Sequence, residues 1–385
     1  MWRSLASNGL TLLVVALIAL GGVIAWGQRQ FVAPGPLTEG ICLRVERGAS
    51  VAAVSESLAA QGAIQHPAIF RLGADYSGKA EALKFGSYLV PPGASMQEIL
   101  EIVTRGGQST CGAEVNFRIG VASAETVLRE LDPATGRYVE IVSFAADAPE
   151  IPTDYTEARG RDDLRFRVTL AEGVTSWQVV EALRAAEFLS GEIGEVPAEG
   201  SLAPDSYEVR AGAERAALLA EMAARQARIL DDLWAARAEG LPYETPQEAL
   251  VMASIVEKET GVADERRLVA SVFVNRLRAG MRLQTDPTVI YGVTRGRGVL
   301  GRGLRESELR AETPWNTYVI DGLPPSPIAN PGREAIAAAL DPAETDFLYF
   351  VADGSGGHAF AETLAEHNRN VIRWRAIEAE RERSE

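Results

Sequence analysis

With 385 residues, 46% of them apolar and 24% charged, the chain has the length of two or three domains plus appendages and the composition of an ordinary globular protein. Its formal charge of −15 disfavours DNA or RNA as a partner, and lysine occurs only at Lys79, Lys84 and Lys258. No charged residue lies between Ser4 and Gln28, and within that stretch Leu10 to Trp26 (LTLLVVALIALGGVIAW) is near the length that spans hydrocarbon. Arg3 precedes the span and Arg29 follows it, a slight bias that puts the N-terminus in the cytoplasm and the remainder outside. Trp26 stands where an interfacial aromatic belongs. A cleaved signal peptide is the competing reading, but no clean A-x-A site closes the span. Residues 1–8 are thus expected in the cytoplasm and 9–28 in the membrane. Residues 29–40, with Pro34-Gly35-Pro36, form a linker.

Beyond the linker one pattern recurs: a short alternating strand, a glycine-containing turn, a Ser or Thr, then an amphipathic helix. Cys42 to Ile64, Tyr88 to Gly107 and Arg167 to Leu189 each follow it, with Ser50, Ser95 and Thr175 at the expected helix N-caps. The plain interpretation is a recurrent folding unit. The more specific one is a glycan-gripping β-α-α-β module over 41–107 that resembles LysM. Cys42 and Cys111 bracket this region and could pair in an oxidising compartment. Residues 108–165 read as a polar insertion of weak structure. Residues 166–240 read as a second β-turn-α region with a helical connector, Ala213 to Glu239 being rich in strong helix formers.

The last region, 241–385, carries the most chemistry. Leu241-Pro242 and Thr245-Pro246 lead into LVMASIVEKET, Leu250 to Thr260, an apolar helix that contains two glutamates. A carboxylate withdrawn from water favours its neutral form and becomes a candidate proton donor at neutral pH. Met252, Ile255, Val256 and Glu259 share one helical side, whereas Glu257 lies about 200° around the wheel, so one glutamate and not the pair serves any single bond. Glu259 is the favoured one; the alternative is that both are salt-bridged, with Arg266 or Arg267 as partners. Next come a buried helix, Leu268 to Leu277, with Gly280 just past its end, an apolar strand, Phe347 to Ala352, and a terminal helix, Ala361 to Glu378.

Two proline-bounded segments add polar groups suited to a sugar groove. Met281 to Gly292 offers Gln284, Thr285, Asp286 and Tyr291; Trp315 to Gly332 offers Asn316, Thr317, Tyr318 and Asn330. Each could equally be a turn whose Asn and Asp cap their own backbone. Gly296, Gly298 and Gly301 spell GxGxxG, but Thr313-Pro314 interrupts the segment that would have to be the crossover helix. Ser254 and Lys258 could form a nucleophile pair, yet no S-D-N or K-T-G box accompanies them. His358 and His367 lack an HExxH frame for zinc.

ASIVEKET, VFVNRLRAGMRLQTDPTVIYG, WNTYVIDGLPPSPIANPG and FLYFVADGSGGHAF together closely resemble the YceG-like endolytic murein transglycosylases, the MltG family. LAPDSYEVR resembles that family's Pro-Asp-Thr-Tyr segment with Ser206 in place of Thr, and Trp315 stands where relatives often have Tyr. The resemblance spares about 108–163. It implies an α+β fold: an N-terminal transmembrane helix, a LysM-like β-α-α-β module, and a mixed α/β catalytic domain around a lysozyme-like buried catalytic helix. It implies Glu259 as the catalytic residue. Glu257, Asn275, Gln284, Thr285, Asp286, Tyr291, Asn316, Thr317, Tyr318 and Asn330 are the expected substrate-binding set. The implied activity is internal cleavage of the MurNAc-β-1,4-GlcNAc bond of peptidoglycan to 1,6-anhydro ends, terminating nascent strands at the inner membrane with the catalytic part in the periplasm. No metal or organic cofactor is expected; peptidoglycan strands, the membrane and peptidoglycan synthases are the expected partners. The alternative is a non-catalytic glycan-binding scaffold of the cell-wall synthesis machinery.

Overall fold

The computed structural model describes residues 2–107, 109–161 and 163–384; Met1, Gln108, Asp162 and Glu385, each at an expected segment edge or inside the insertion, lie outside the described residues. Two compact units account for the chain. One comprises residues 1–115, 127–143 and 150–166, the other 116–126, 144–149 and 167–385.

The first unit opens with the helix Trp2–Val32, whose stretch Leu10–Val32 has a mean hydropathy of 2.4, long and apolar enough to cross a membrane by length and composition. Its last turns touch the unit's core: the Trp26 ring meets His66 edge-on at 5.3 Å, and Phe31 lies over Gly73, where a Cβ would clash with it. A strand, two helices and a strand follow: Ile41–Val45, Val51–Ala60, Pro67–Tyr76 and Gly86–Val90. The two strands pair antiparallel with Ile41 opposite Val90. Local chemistry explains the helix starts. The Ser50 hydroxyl accepts from Ala53 N, and Ser95 and Glu98 form a reciprocal capping box for the helix Met96–Arg105. Leu43, Leu58, Phe70, Tyr88, Ile99 and Val103 are buried together beneath these elements. Cys42 and Cys111 form a disulfide with Cα atoms 5.6 Å apart, as expected for residues flanking one module.

The expectation of a weakly structured insertion at 108–165 is corrected. Ala113–Ile119, Ala124–Asp132 and Arg137–Ala145 are strands of a five-stranded sheet, ordered Arg137–Ala145, Ala124–Asp132, Ala113–Ile119, Arg165–Leu170, Ser206–Val209. Polar residues inside these strands find partners across the sheet: buried Glu114 accepts from Arg129 Nε at 2.9 Å and lies 3.6 Å from Arg165.

In the second unit the helix Ser176–Ala185 starts at a Thr175–Gln178 capping box, and Arg215–Ala235 is the expected connector helix. The helix Pro246–Glu259 begins at Thr245, boxed with Glu248, with Pro246 in the first turn where no backbone donor is lost. Its residues Ala249 to Val256 are buried without exception. It packs on the helices Arg266–Arg278 and Arg333–Leu340, so Met252, Ile255, Val256, Phe273 and Ile336 share one core. Gly280, at φ +65°, supplies the left-handed turn after Arg266–Arg278. The hairpin Tyr349–Ala352/His358–Ala361 and the helix Leu364–Ser384 complete the unit.

Candidate functional site

Because Ala249 to Val256 are buried on every side of the helix, the wheel does not by itself rank the glutamates that follow them; their partners do. Glu257 Oε2 accepts from Gly332 N at 2.9 Å. Desolvation raises the Glu257 carboxyl above its ordinary range, opposed by that hydrogen bond, and the Glu172 charge raises it further. Glu259, the last helical residue, meets a different wall: the Thr285 hydroxyl donates to its Oε1. Burial raises the Glu259 carboxyl as well, the Thr285 hydrogen bond opposes the rise, and the Asp286 charge adds to it. The ion pairs considered for these glutamates form elsewhere. Arg266 lies 3.7 Å from Glu172 and Arg267 2.9 Å from Asp341.

Thr285 is held from several directions. Its N donates to Thr317 Oγ1 at 3.1 Å, its carbonyl accepts from Thr288 Oγ1 at 2.7 Å, and the Thr288 and Thr317 hydroxyls are 2.8 Å apart. Gln284 N donates to Thr317 O at 3.1 Å, with Gln284 itself at φ +52°. One residue earlier, Leu283 O accepts from Arg276 Nη1 at 2.6 Å, while Arg276 Nε binds Leu348 O at 2.7 Å. A left-handed non-glycine residue next to the one that touches Glu259 is the kind of local strain that accumulates at working sites. Tyr318 OH donates to Asp286 Oδ1 at 2.7 Å, and its phenol is raised chiefly by desolvation, then by Asp286 and Glu259. Glu259, Gln284, Thr285, Asp286, Thr317 and Tyr318 therefore form one cluster. Gln284 and Asp286 are exposed, whereas Thr285 and Thr317 are buried.

The other expected ligands do not join that cluster. Asn316 is fully buried and its amide donates to the carbonyls of Glu308, Leu309 and Ala311. Asn330, also fully buried, donates to Val174 O and accepts from Leu202 N, both at 2.9 Å. Asn275 donates to Thr345 O at 2.7 Å and Phe347 O at 3.1 Å. These three amides spend their donors on backbone carbonyls and lie outside the cluster around Glu259. Tyr291 points elsewhere: its OH donates to Glu199 Oε2 at 3.1 Å and its ring meets Trp315 at 5.6 Å. Glu199, raised by desolvation, accepts from Ser176 N at 2.8 Å.

The rival chemistries lack their geometry. Ser254 donates to Val251 O and accepts from Ile328 N, and Lys258 Nζ reaches Gly173 O at 3.3 Å, so they form no nucleophile pair. No strand immediately precedes the Gly296 turn. Arg276, Glu199 and Glu265 were not singled out in the sequence. Arg276 could have been, as a lone charge amid VFVNRL.

The YceG-like family matches residues 43–140 and 148–373, including most of the segment that the sequence resemblance spared. An endolytic murein transglycosylase of Bacillus subtilis is 44% identical over 120 residues, 31% of this chain and 32% of that protein. One of Streptococcus pneumoniae serotype 2 is 26% identical over 378 residues, 94% of this chain and 63% of that protein. The chain thus spans less than two thirds of the length of either relative. A yceG-like protein of Listeria monocytogenes, known from a crystal structure, shares 24% identity at a TM-score of 0.45 over 86% of this chain and 98% of that one. With a match that takes in both units from residue 43 to residue 373, the chain belongs to the YceG-like family.

Proposed function

We propose that the chain is a lytic transglycosylase that cuts peptidoglycan glycan internally, with Glu259 as both general acid and general base. The observation that carries this reading is a single carboxyl at the end of a buried helix, pushed towards its neutral form by desolvation and oriented by the Thr285 hydroxyl. Neutral Glu259 donates to the oxygen leaving the anomeric carbon of N-acetylmuramic acid. As carboxylate it then takes the proton of that sugar's 6-hydroxyl, which closes on the anomeric carbon to give a 1,6-anhydro end. Protons balance and no water is consumed. Intramolecular attack removes the need for the second carboxylate that hydrolytic glycosidases place opposite the acid. Asp286 and Tyr318, linked to each other and beside Glu259, are the groups available to hold sugar hydroxyls; Gln284 is exposed beside them. The printed names of the relatives, endolytic murein transglycosylase, support the substrate class.

The helix Trp2–Val32 serves as a single-pass anchor of the inner membrane with the rest in the periplasm, where a disulfide persists. The strand-helix-helix-strand module grips glycan in the manner of LysM, and cleavage near the membrane terminates nascent strands made by associated synthases. Mass spectrometry of muropeptides tests the central claim. Wild type is expected to yield anhydro-muramyl ends and Glu259→Gln none. Intact strands from both, with binding retained, would leave a glycan-binding scaffold instead.

A further inference from the structure

The glycines of the GxGxxG motif belong to a stretch with one sign of charge. Residues 295–305, RGRGVLGRGLR, hold four arginines and no acidic residue in a chain of formal charge −15. The stretch follows the helix Asp286–Thr294 directly, and Gly296, Gly298 and Gly301 turn it at φ +70°, +131° and +69°. Its first turn is fixed. Arg295 N donates to Tyr291 O at 2.7 Å, Arg297 N to Thr294 O at 3.1 Å, and the Thr175 hydroxyl to Gly296 O at 2.6 Å. A Cβ at Gly296 would stand 3.0 Å from the Tyr291 ring and 3.2 Å from Glu199 Oε2, so the backbone there is pressed onto the body of the unit. Arg295 and Arg297, on either side of it, are exposed. Arg295 stands at φ +53°, where glycine would sit without strain, and its guanidinium lies 4.3 Å over the Trp315 ring. Arg302 is spent on Glu308, which it reaches with two donors at 2.9 and 2.5 Å. Among the described residues neither Arg295 nor Arg297 has a carboxylate at ion-pair distance.

We propose that Arg295 and Arg297 form a recognition arm for the carboxylates of the peptide stems that muramic acid carries, so that the chain prefers glycan bearing stems to bare glycan. This rests on the reading of peptidoglycan as the substrate. A guanidinium pairs with a carboxylate through two parallel N–H donors and keeps its charge at any working pH. The helix Asp286–Thr294 begins beside Tyr318 and ends at Arg295, and its nine residues at 1.5 Å each set the arm about 13 Å from the cluster around Glu259. That is too far to touch the bond being cut, yet within reach of a stem a few residues long at up to about 3.5 Å per residue. Trp315 joins the two places: it lies under Arg295 and leads within three residues to Thr317 and Tyr318. The charge of the whole chain keeps long polyanions away. A short stem meets only the local field, because the screening length is about 10 Å at 0.1 M salt.

The test gives the full chain two substrates, purified glycan with its stems and the same glycan after enzymatic removal of the stems. The readout is the ratio of kcat/KM on the first to that on the second. Wild type is expected to favour the stem-bearing strand. Arg295→Gly combined with Arg297→Glu should lower the ratio about tenfold, since a hydrogen bond to a charged group is worth a factor of this order or more. Glycine suits the backbone at 295 and Arg297 is exposed, so the variant keeps the fold. The loss should lie in KM, as for binding remote from the reacting bond. At about 1 M salt, where the screening length is about 3 Å, the wild-type ratio should approach that of the double variant. A ratio that the double variant leaves unchanged overturns the inference. So does competition by inorganic pyrophosphate and not by free stem peptide, which would make a phosphate the ligand. Binding of the two glycans to Glu259→Gln protein, which needs no turnover, separates this from the reading of function. A chain that never cuts, but whose stem-dependent binding is lost in the double variant, keeps the arm and forfeits the enzyme. A chain that cuts both glycans alike keeps the enzyme and forfeits the arm.

Discussion

Thr285→Val isolates one hydrogen bond at the candidate catalytic carboxyl. Valine matches threonine in shape, and the other hydrogen bonds of Thr285 run through its backbone N and O, so the substitution removes only the hydroxyl donated to Glu259. A hydrogen bond to a charged group is worth about 1.5–3 kcal/mol, and about 1.4 kcal/mol corresponds to one pKa unit. Glu259 retains some exposure, so water recovers part of the loss, and the lower end, about one unit, is the expected shift. The sign follows from which form is bonded. The hydroxyl stabilises the carboxylate, so its removal raises the Glu259 carboxyl beyond the rise that burial already causes. As the proposed general acid Glu259 must be protonated, so activity falls as pH passes upward through its titration. The assay is the pH profile of kcat/KM on purified glycan, which reports the free protein. The high-pH limb is expected about one unit higher in Thr285→Val. A limb that stays put or moves down would refute the assignment of Thr285 as a donor to the catalytic group.

Glu259→Gln should abolish cleavage, the loss exceeding the ~10²–10⁴ usual for removing one acid–base group because the proposed mechanism gives this residue both parts. The same substitution should raise Tm at pH 7 and not at pH 4. A carboxyl raised in the folded state forfeits stability as pH climbs from the unfolded range to its folded one, and glutamine has none to forfeit; a Tm difference independent of pH contradicts the burial argument. Glu257→Gln should keep measurable cleavage, since Glu257 serves Gly332 N; complete inactivity with Glu259→Gln active would reverse the assignment. Asn316→Ala, which removes a fully buried amide that three part-buried carbonyls share, should lower stability by about 2 kcal/mol in denaturant titration, with kcat unchanged in the folded fraction. Cys42→Ser should cost about 2–5 kcal/mol in the first unit, and an unchanged unfolding midpoint would show that the bridge is stabilising nothing.

What the sequence determined by itself is what short range decides. Ser50, Ser95, Thr175 and Thr245 announce helix starts because a cap is a contact between residues three apart, and every one of them caps in the structure. The long apolar run of the first helix and the unbroken burial of Ala249 to Val256 are likewise written in composition and period. Tertiary structure alone decided the fate of the polar residues. Asn330 reaches Val174 and Leu202, 156 and 128 residues away, and nothing in its neighbourhood separates a loop-locking amide from one that waits for a sugar. The strands Ala113–Ile119 and Ala124–Asp132 were unreadable because their polar residues find partners only across a sheet, as Glu114 does with Arg129. Glu257 and Glu259 are alike in residue type and both partly buried. Their difference comes from which loop folds back on each, Gly332 on one and Thr285 on the other, and a hydrogen bond between segments far apart in the chain leaves no local periodicity to detect.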